Sequence, residues 1–315
     1  MKNKSGARVN QKTTAKVYVI VLNYNGFEDT RECLRSLEKL SYTDLETAVV
    51  ENGSSDGSAE KLEKIRNIRL LKSSANLGFA GGCNLGIEYA LERGADFVLL
   101  LNNDTVVEPG FLDVLLRCFA KDETVGIAGS KILYDGKDKI IWSAGGGVSR
   151  YLKRTFQYGE NRLDDGKFDR ARDVDFVSGC CMLIRRDVLE KAGLLDPVYF
   201  MYYEDVDICL RAQQQGFRVR YCPEAVIHHR VSASTNRSFR DYYRMRNYLI
   251  LLKKHFPGAP GIAVRTAAAL IERLGRIVTR KIVYRDTEKQ TARVKQLFLG
   301  LRDGVRYEIK NSCIK

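Results

Sequence analysis

Apolar residues in the first hundred positions fall into short unbroken runs, each stopped by a polar cluster. Val17-Tyr18-Val19-Ile20-Val21-Leu22 ends at Asn23-Tyr24-Asn25-Gly26. Leu45 to Val50 ends at Glu51-Asn52-Gly53-Ser54-Ser55-Asp56-Gly57-Ser58, and Phe97-Val98-Leu99-Leu100-Leu101 ends at Asn102-Asn103-Asp104. Unbroken runs of this length predict strands buried on both faces. Between them, Cys33, Leu34, Leu37 and Leu40 share one helical face, and Ile68 to Leu71 reads as a third strand. The glycine-rich stretch from Asn76 to Asn84 leads into a predicted helix from Leu85 to Arg93, stopped by Gly94. This β-α-β-α-β-α-β alternation predicts a doubly wound parallel sheet with right-handed crossovers.

Past Pro109 the pattern loosens. A helix at about 110–120 and the run Val125 to Gly129 precede Gly- and Tyr-rich sequence that continues to about 172, read as short antiparallel pieces and a mobile loop. Val174 to Ile184 is a predicted strand segment. Glu204 opens a helix that passes Arg211 and stops at Gly216, and Phe217 to Tyr221 alternates like an edge strand. Beyond Ser238 short apolar faces alternate with basic residues in a helical pattern, which places a boundary near 236–240.

Charge sharpens that boundary. The net charge is +13, and residues 240–315 hold 18 Lys/Arg against 6 Asp/Glu, so nearly all the excess lies in the helical tail. Nucleic acid, anionic lipid and an acidic lipid-linked substrate each fit such a tail, as does a solvated helical surface. No zinc-finger, helix-turn-helix or RNA-recognition signature accompanies it, so no nucleic acid is expected. Residues 1–15 are polar and read as a disordered leader without a signal-peptide core. No stretch approaches the roughly 20 apolar residues of a membrane span. The eight cysteines form no C-x-x-C pair and fit free buried thiols in a reducing cytosol.

The polar clusters carry the candidate chemistry. In open α/β sheets ligands bind at the carboxyl ends of the strands. Asp104 stands at such an end and suits a divalent metal bridging two phosphates, with helix capping as the structural alternative. Glu51, Asn52, Ser54 and Asp56 offer groups for a base or ribose, or simply an Asx-type turn. The backbone around Asn76, Gly78 and Asn84 could approach a phosphate closely. It matches neither G-x-G-x-x-G nor a P-loop, which disfavours a dehydrogenase. Glu204, Asp205 and Asp207 occupy a helix's first turn, where the dipole favours ionised carboxylates, which suits a base or is simply ordinary N-terminal helix charge. Tyr199, Phe200, Tyr202 and Tyr203 beside them resemble a sugar-stacking wall. His228 and His229 point opposite ways if extended, so at most one faces the site.

Seven stretches taken together resemble family 2 glycosyltransferases, most closely the bacterial rhamnosyltransferase-like branch. They are Val21 to Asn25, Glu51 to Gly57, Asn76 to Asn84, Leu101 to Asp104, Phe176 to Gly179, Phe200 to Asp207, and His228. The resemblance implies a GT-A fold: a Rossmann-like nucleotide-sugar half at about 16–105, fused to an acceptor half at about 106–236. A basic helical extension follows at 237–315. It implies an inverting glycosyltransferase. Asp205 is then the base, and Asp104 with His228 holds Mg²⁺ or Mn²⁺. Asn23, Asn25, Glu51, Asn52, Ser54, Asp56, Asn76, Gly78, Asn84 and Asn103 bind the nucleotide-sugar, while Gly179, Tyr202, Tyr203 and Glu204 contact sugar or acceptor. Glu51 stands where the family usually has Asp, and Cys83 where it commonly has Asn. The expected donor is dTDP-rhamnose and the expected acceptor a lipid-linked glycan or polysaccharide. The place implied is the cytoplasmic face of an anionic membrane, touched by 240–315, including Arg276, Arg280, Lys281, Arg285 and Lys289. A UDP-hexose transferase and a non-catalytic nucleotide-sugar or glycan-binding protein are the alternatives, and a homodimer is left open.

Overall fold

The structure is a computed structural model that describes residues 14–137, 139–231, 237–284 and 287–309. The first half alternates as the apolar runs predict: β1 (Val17–Asn23), α1 (Phe27–Leu37), β2 (Leu45–Asn52), α2 (Ser58–Leu62), β3 (Arg69–Ser73), α3 (Gly78–Glu92) and β4 (Phe97–Asn102). β1 pairs in parallel with β2 and β4, and β2 with β3. Successive side chains leave a strand on opposite faces. Tyr18, Ile20, Val50, Val98 and Leu100 therefore pack with Ile87 of α3, while Val17, Val19, Val21, Leu99 and Leu101 pack with Cys33 and Leu34 of α1.

The second half adds antiparallel strands, in keeping with the short antiparallel pieces read past Pro109. It contains β5 (Thr105–Val107), α4 (Phe111–Lys121), β6 (Val125–Tyr134), β7 (Ile140–Ser143), β8 (Gly146–Val148), β9 (Thr155–Gln157), β10 (Arg162–Leu163), β11 (Arg172–Asp173) and β12 (Cys181–Arg185). Then come α5 (Arg186–Ala192), α6 (Glu204–Gln214) and β13 (Arg218–His229). β12 lies antiparallel between β4 and β6, giving the order β10-β7-β6-β12-β4-β1-β2-β3 and a mixed sheet. Only Cys181–Arg185 of the predicted 174–184 strand is strand, because Asp205 and Gln213 of α6 engage the preceding backbone. The predicted short edge strand is the start of the long β13, which runs parallel to β6 and antiparallel to β5. Its register shifts between Cys222 and Val226, at Pro223, which has no N–H to give a ladder. That proline hid the continuation. The 130–172 region is anchored to the sheet: buried Lys131 binds Asp164 at 2.9 Å and also Asp169.

Three helices follow: α7 (Arg237–His255), α8 (Ala259–Tyr284) and α9 (Thr287–Arg306). α7 buries Ile250 and Leu251 in the same core as β1 and α6, so this helix, beyond the predicted boundary, packs into the body of the sheet. No helix among the described residues is long and apolar enough to cross a membrane. The side chains of Arg280, Lys281, Arg285 and Lys289 lie outside the described residues, as does most of the 1–15 leader. Among the described residues five cysteines are free and buried, but Cys118 and Cys222 form a disulfide between α4 and β13, contrary to the expectation of free thiols throughout.

Candidate active site

β1, β2 and β4 are parallel neighbours, so the polar residues that end them arrive at one level. Asn23 is in register with Glu51, and Leu22 with Asn102. Buried Glu51 accepts from Asn23 Nδ2 at 2.5 Å through one oxygen and from Ser54 N at 2.6 Å through the other. A residue one methylene longer than Asp thus spans both partners. Asn23 Oδ1 accepts from Thr30 Oγ1 at 2.7 Å, and Thr30 accepts from Asn103 Nδ2 at 3.0 Å. Ser54 Oγ accepts from Asn25 N at 2.9 Å, and Asn25 Oδ1 accepts from Ser55 N at 2.8 Å. Asn23, Asn25, Glu51, Ser54 and Asn103 therefore form one network along the mouth of the sheet.

Other candidates on this side are committed to backbone. Asn52 Oδ1 accepts from Leu77 N at 3.0 Å, while its Nδ2 donates to Asn76 Oδ1 and Gly78 O, each at 3.1 Å. Asp56 accepts from Ser58 N at 3.0 Å and caps α2. Asn84 exchanges two hydrogen bonds with the Leu195 backbone, at 2.8 and 3.1 Å, joining the two halves. The glycine-rich stretch is not a loop before a helix: α3 starts at Gly78. Its free N–H groups at Phe79 and Ala80 donate to Phe200 O, at 2.6 and 3.2 Å, so a carbonyl of the acceptor-side loop takes the place expected for a phosphate. Gly78 has φ +72°, and a Cβ there would lie 2.4 Å from Phe200 O. Glycine is required by that docking.

Asp104 sits in the turn between β4 and β5, almost fully buried. Its Oδ1 is 3.0 Å from Nε2 of His229. His228, the expected metal partner, instead faces Glu108 Oε1 at 3.1 Å. Inward residues of β13 alternate through Ala225, Ile227 and His229, so the strand turns His229 to the site and His228 away. That period was readable in the sequence. His229 also carries a buried Nδ1 with no partner and packs edge-on against Trp142 at 4.7 Å. The pair fits a divalent ion. A carboxylate oxygen and an imidazole nitrogen 3.0 Å apart have the spacing of adjacent ligands in an octahedral shell of about 2.1 Å. No group of three or more such ligands occurs among the described residues.

The second carboxylate cluster separates into different roles. Asp207 is fully buried and bound to Tyr199 Oη at 3.1 Å, Arg211 Nε at 2.7 Å, Lys254 Nζ at 2.7 Å and His255 Nε2 at 2.8 Å. Burial opposes its ionisation, but His255, Arg211 and Lys254 outweigh it and hold its carboxyl below the usual range. Asp207 joins α6 to α7. Asp205 accepts from Gly179 N at 3.2 Å and from Val206 N at 2.8 Å. Burial pushes its carboxyl up, moderated by those amides and by Arg244. Glu204 is pushed much further up, by burial and then by the Asp205 charge, and its Oε2 has no partner. Both carboxyls of the pair therefore hold a proton more readily than free ones, Glu204 the more so.

The loop that presents them is strained. Phe200, Tyr202 and Tyr203 have φ of 60°, 68° and 77°, unusual for bulky residues. Asn247 of α7 holds it: its Nδ2 donates to Tyr199 O, Met201 O and Tyr202 O at 2.7, 2.8 and 2.9 Å. Arg246 adds a bond to Val198 O at 2.7 Å. Sequence reasoning missed both, although a buried asparagine inside an apolar helical run (Tyr248 to Leu252) was a visible signal. The aromatic wall is mostly packing. Tyr199 is buried, Phe200 stacks on Tyr243 at 5.1 Å, and Tyr203 packs toward Tyr248 at 6.4 Å. Tyr202 lies under Arg244 at the rim. A cavity of about 800 Å³ lies against α4, lined by Tyr42, Phe111 and Arg117, and its lining includes neither Asp104 nor Asp205.

Comparison with known proteins agrees with this geometry. The chain is 28% identical over 262 residues to the N-acetylglucosaminyl-diphospho-decaprenol L-rhamnosyltransferase of Mycobacterium tuberculosis (strain ATCC 25618 / H37Rv), covering 75% of this chain and 84% of that one. It is 25% identical over 259 residues to the dTDP-rhamnosyl transferase RfbF of Shigella flexneri, covering 77% and 82%. Among solved structures, the mannosyltransferase PcManGT of Pyrobaculum calidifontis, in complex with GDP-Man and Mn²⁺, shares the fold. Its TM-score is 0.57 at 16% identity, covering 94% of this chain and 88% of that one. The fold is GT-A, with a helical C-terminal extension. The family model described as glycosyltransferase like family 2 matches residues 15–247, from the start of β1 to the asparagine that holds the catalytic loop. The chain belongs to that family and is a glycosyltransferase.

Proposed function

We propose that the enzyme transfers rhamnose from dTDP-rhamnose, with inversion, to a hydroxyl of a lipid-linked or polysaccharide acceptor during cell-surface glycan synthesis. The observation that carries the mechanism is the Glu204–Asp205 pair. Asp205, held by two backbone amides and raised in proton affinity by burial beside Glu204, is equipped to take a proton from an attacking hydroxyl. The rhamnose reading is supported by the two relatives, whose names specify rhamnosyl transfer, one of them onto a diphospho-decaprenol acceptor.

Asp205 removes the acceptor proton as the oxygen attacks the anomeric carbon from the side opposite the diphosphate. Asp104 and His229 would hold Mg²⁺ or Mn²⁺. A bound divalent ion offsets the charge of the departing diphosphate. The Asn23–Glu51–Ser54–Asn103 network orients the nucleotide along the mouth of the sheet. Placement on the cytoplasmic face of an anionic membrane is supported by the basic tail and by Val264, Ile271 and Val278, exposed at seven-residue spacing along α8 beside Arg276.

Thermal stabilisation by a panel of nucleotide-sugars, with and without Mn²⁺ or Mg²⁺, tests the donor and metal together. A metal-dependent shift with dTDP-rhamnose, lost in Asp104→Ala, is the expected result. A shift with UDP-sugars alone would keep the enzyme class and overturn the rhamnose assignment. That arm has its own support, since a related fold was solved with UDP-GlcNAc.

A further inference from the structure

The first two turns of α7 carry Arg237, Arg240 and Arg244, spaced three and four apart and so on one helical face. Several buried or half-buried arginines of the body are ion-paired: Arg211 with Asp207, Arg220 with Asp122 and Asp173. These three form no ion pair among the described residues, and their acidic neighbour Asp241 is taken by Arg293 at 2.6 Å. Arg240 is half-buried, and burial together with Arg244 and Arg237 disfavours its charge. The helix dipole adds to that cost, because the first turn of α7 holds no acidic residue to face its positive end.

The location gives this arrangement its meaning. Phe239 and Tyr243, from the same two turns, pack on Phe200 at 6.2 and 5.1 Å and so fix this part of α7 against the catalytic loop. The Arg244 guanidinium lies 5.1 Å from the centre of the Tyr202 ring, and its charge reaches Asp205. A set of like charges is therefore held together at the lip of Asp205, with no direct ion pair among the described residues. An anion brought by the substrate offsets that repulsion, and guanidinium forks match phosphate oxygens.

We propose that Arg240 and Arg244, assisted by Arg237, bind a phosphate or diphosphate group of the substrate on the α7 side of Asp205, separately from the Asp104–His229 site. The proposal rests on the glycosyltransferase reading of Asp205 and deepens it by assigning a second anion site. The group belongs either to the donor nucleotide or to a diphosphate that links the acceptor glycan to its lipid.

Calorimetric titration separates these cases. Inorganic pyrophosphate is titrated with EDTA present, and dTDP with Mg²⁺ present, into the wild-type chain, Asp104→Asn, and Arg240→Gln/Arg244→Gln. The expected result is pyrophosphate binding without metal that survives Asp104→Asn and weakens at least tenfold in the double variant, about 1.4 kcal/mol. Arg240→Lys/Arg244→Lys should recover part of it. If dTDP–Mg²⁺ binding is unchanged in the double variant, the diphosphate is the acceptor's. If it weakens in parallel, the diphosphate is the donor's. Equal pyrophosphate binding by wild type and double variant, or none by either, overturns the site. Intact dTDP–Mg²⁺ binding in that outcome leaves the glycosyltransferase reading standing, whereas its loss in the wild-type chain counts against that reading alone. Circular dichroism checks the fold of each variant. Arg244→Gln, at an exposed position, replaces the double variant if that one does not fold, with the same tenfold criterion.

Discussion

The donor side and the acceptor side of this active site handle polar groups in opposite ways. Along the ends of β1, β2 and β4, nearly every side chain that could touch a nucleotide is already bonded to another. Glu51 joins Asn23 and Ser54, and Asn103 joins Thr30. On α6 and the loop before it, Glu204 is buried with an unpartnered oxygen, and Asp205 is held only by two amides within hydrogen-bond distance. A satisfied network is rigid and presents a fixed surface, which suits recognition of a constant group. Under-satisfied carboxylates keep high proton affinity, which suits a group that must accept a proton. Asp207 shows that burial alone does not make the difference. It lies two residues beyond Asp205, is more deeply buried, and is nonetheless neutralised from three directions.

The largest effect that tests this contrast is on catalysis. Asp205→Asn should lower kcat by about 10²–10⁴-fold while the chain stays folded and binds donor, read from transfer assays beside thermal melts. Because burial raises the Asp205 carboxyl, the acid limb of the wild-type kcat/KM profile should lie above the usual aspartate range. A limb at or below that range would break the assignment. Asp207→Ala should instead act on stability, costing about 3–5 kcal/mol, because it strands Arg211, Lys254 and His255. The sign follows from a carboxyl whose ionisation is favoured on folding. Its contribution is present above the unfolded pKa and is lost as pH falls through the lower folded value. Acid unfolding of the wild-type chain should thus be steeper than that of Asp207→Ala.

Asn247→Ala removes the amide that holds three carbonyls of the strained loop and should cost about 1–3 kcal/mol. Acceptor KM and kcat should suffer while the metal-dependent melting shift with donor persists. Loss of donor binding instead would show that the two sides are less separate than drawn. The smallest change is Glu51→Asp, which cannot span Asn23 and Ser54 together and should weaken donor binding by about 1 kcal/mol with kcat at saturating donor nearly unchanged. Calorimetry with the donor nucleotide reads it.

The sequence by itself determined the parallel first half, the strand ends that carry Asn23, Glu51 and Asp104, and the α6 first turn that carries Asp205. Those depend on short-range physics: apolar runs make buried strands, strand ends collect polar residues, and acidic first turns stabilise helices. Tertiary structure decided the rest. It brought His229 up to Asp104, and it gave the α3 N-terminus to Phe200 O. It also turned Asp207 into a structural hub and made α7 part of the site through Asn247. Each of these depends on partners far apart in the chain, separated by 125, 121, 48 and 46 residues for His229–Asp104, Phe200–Phe79, His255–Asp207 and Asn247–Met201. A residue's type and its neighbours in sequence state what it can bond. Only the packed fold states which bond it has already made.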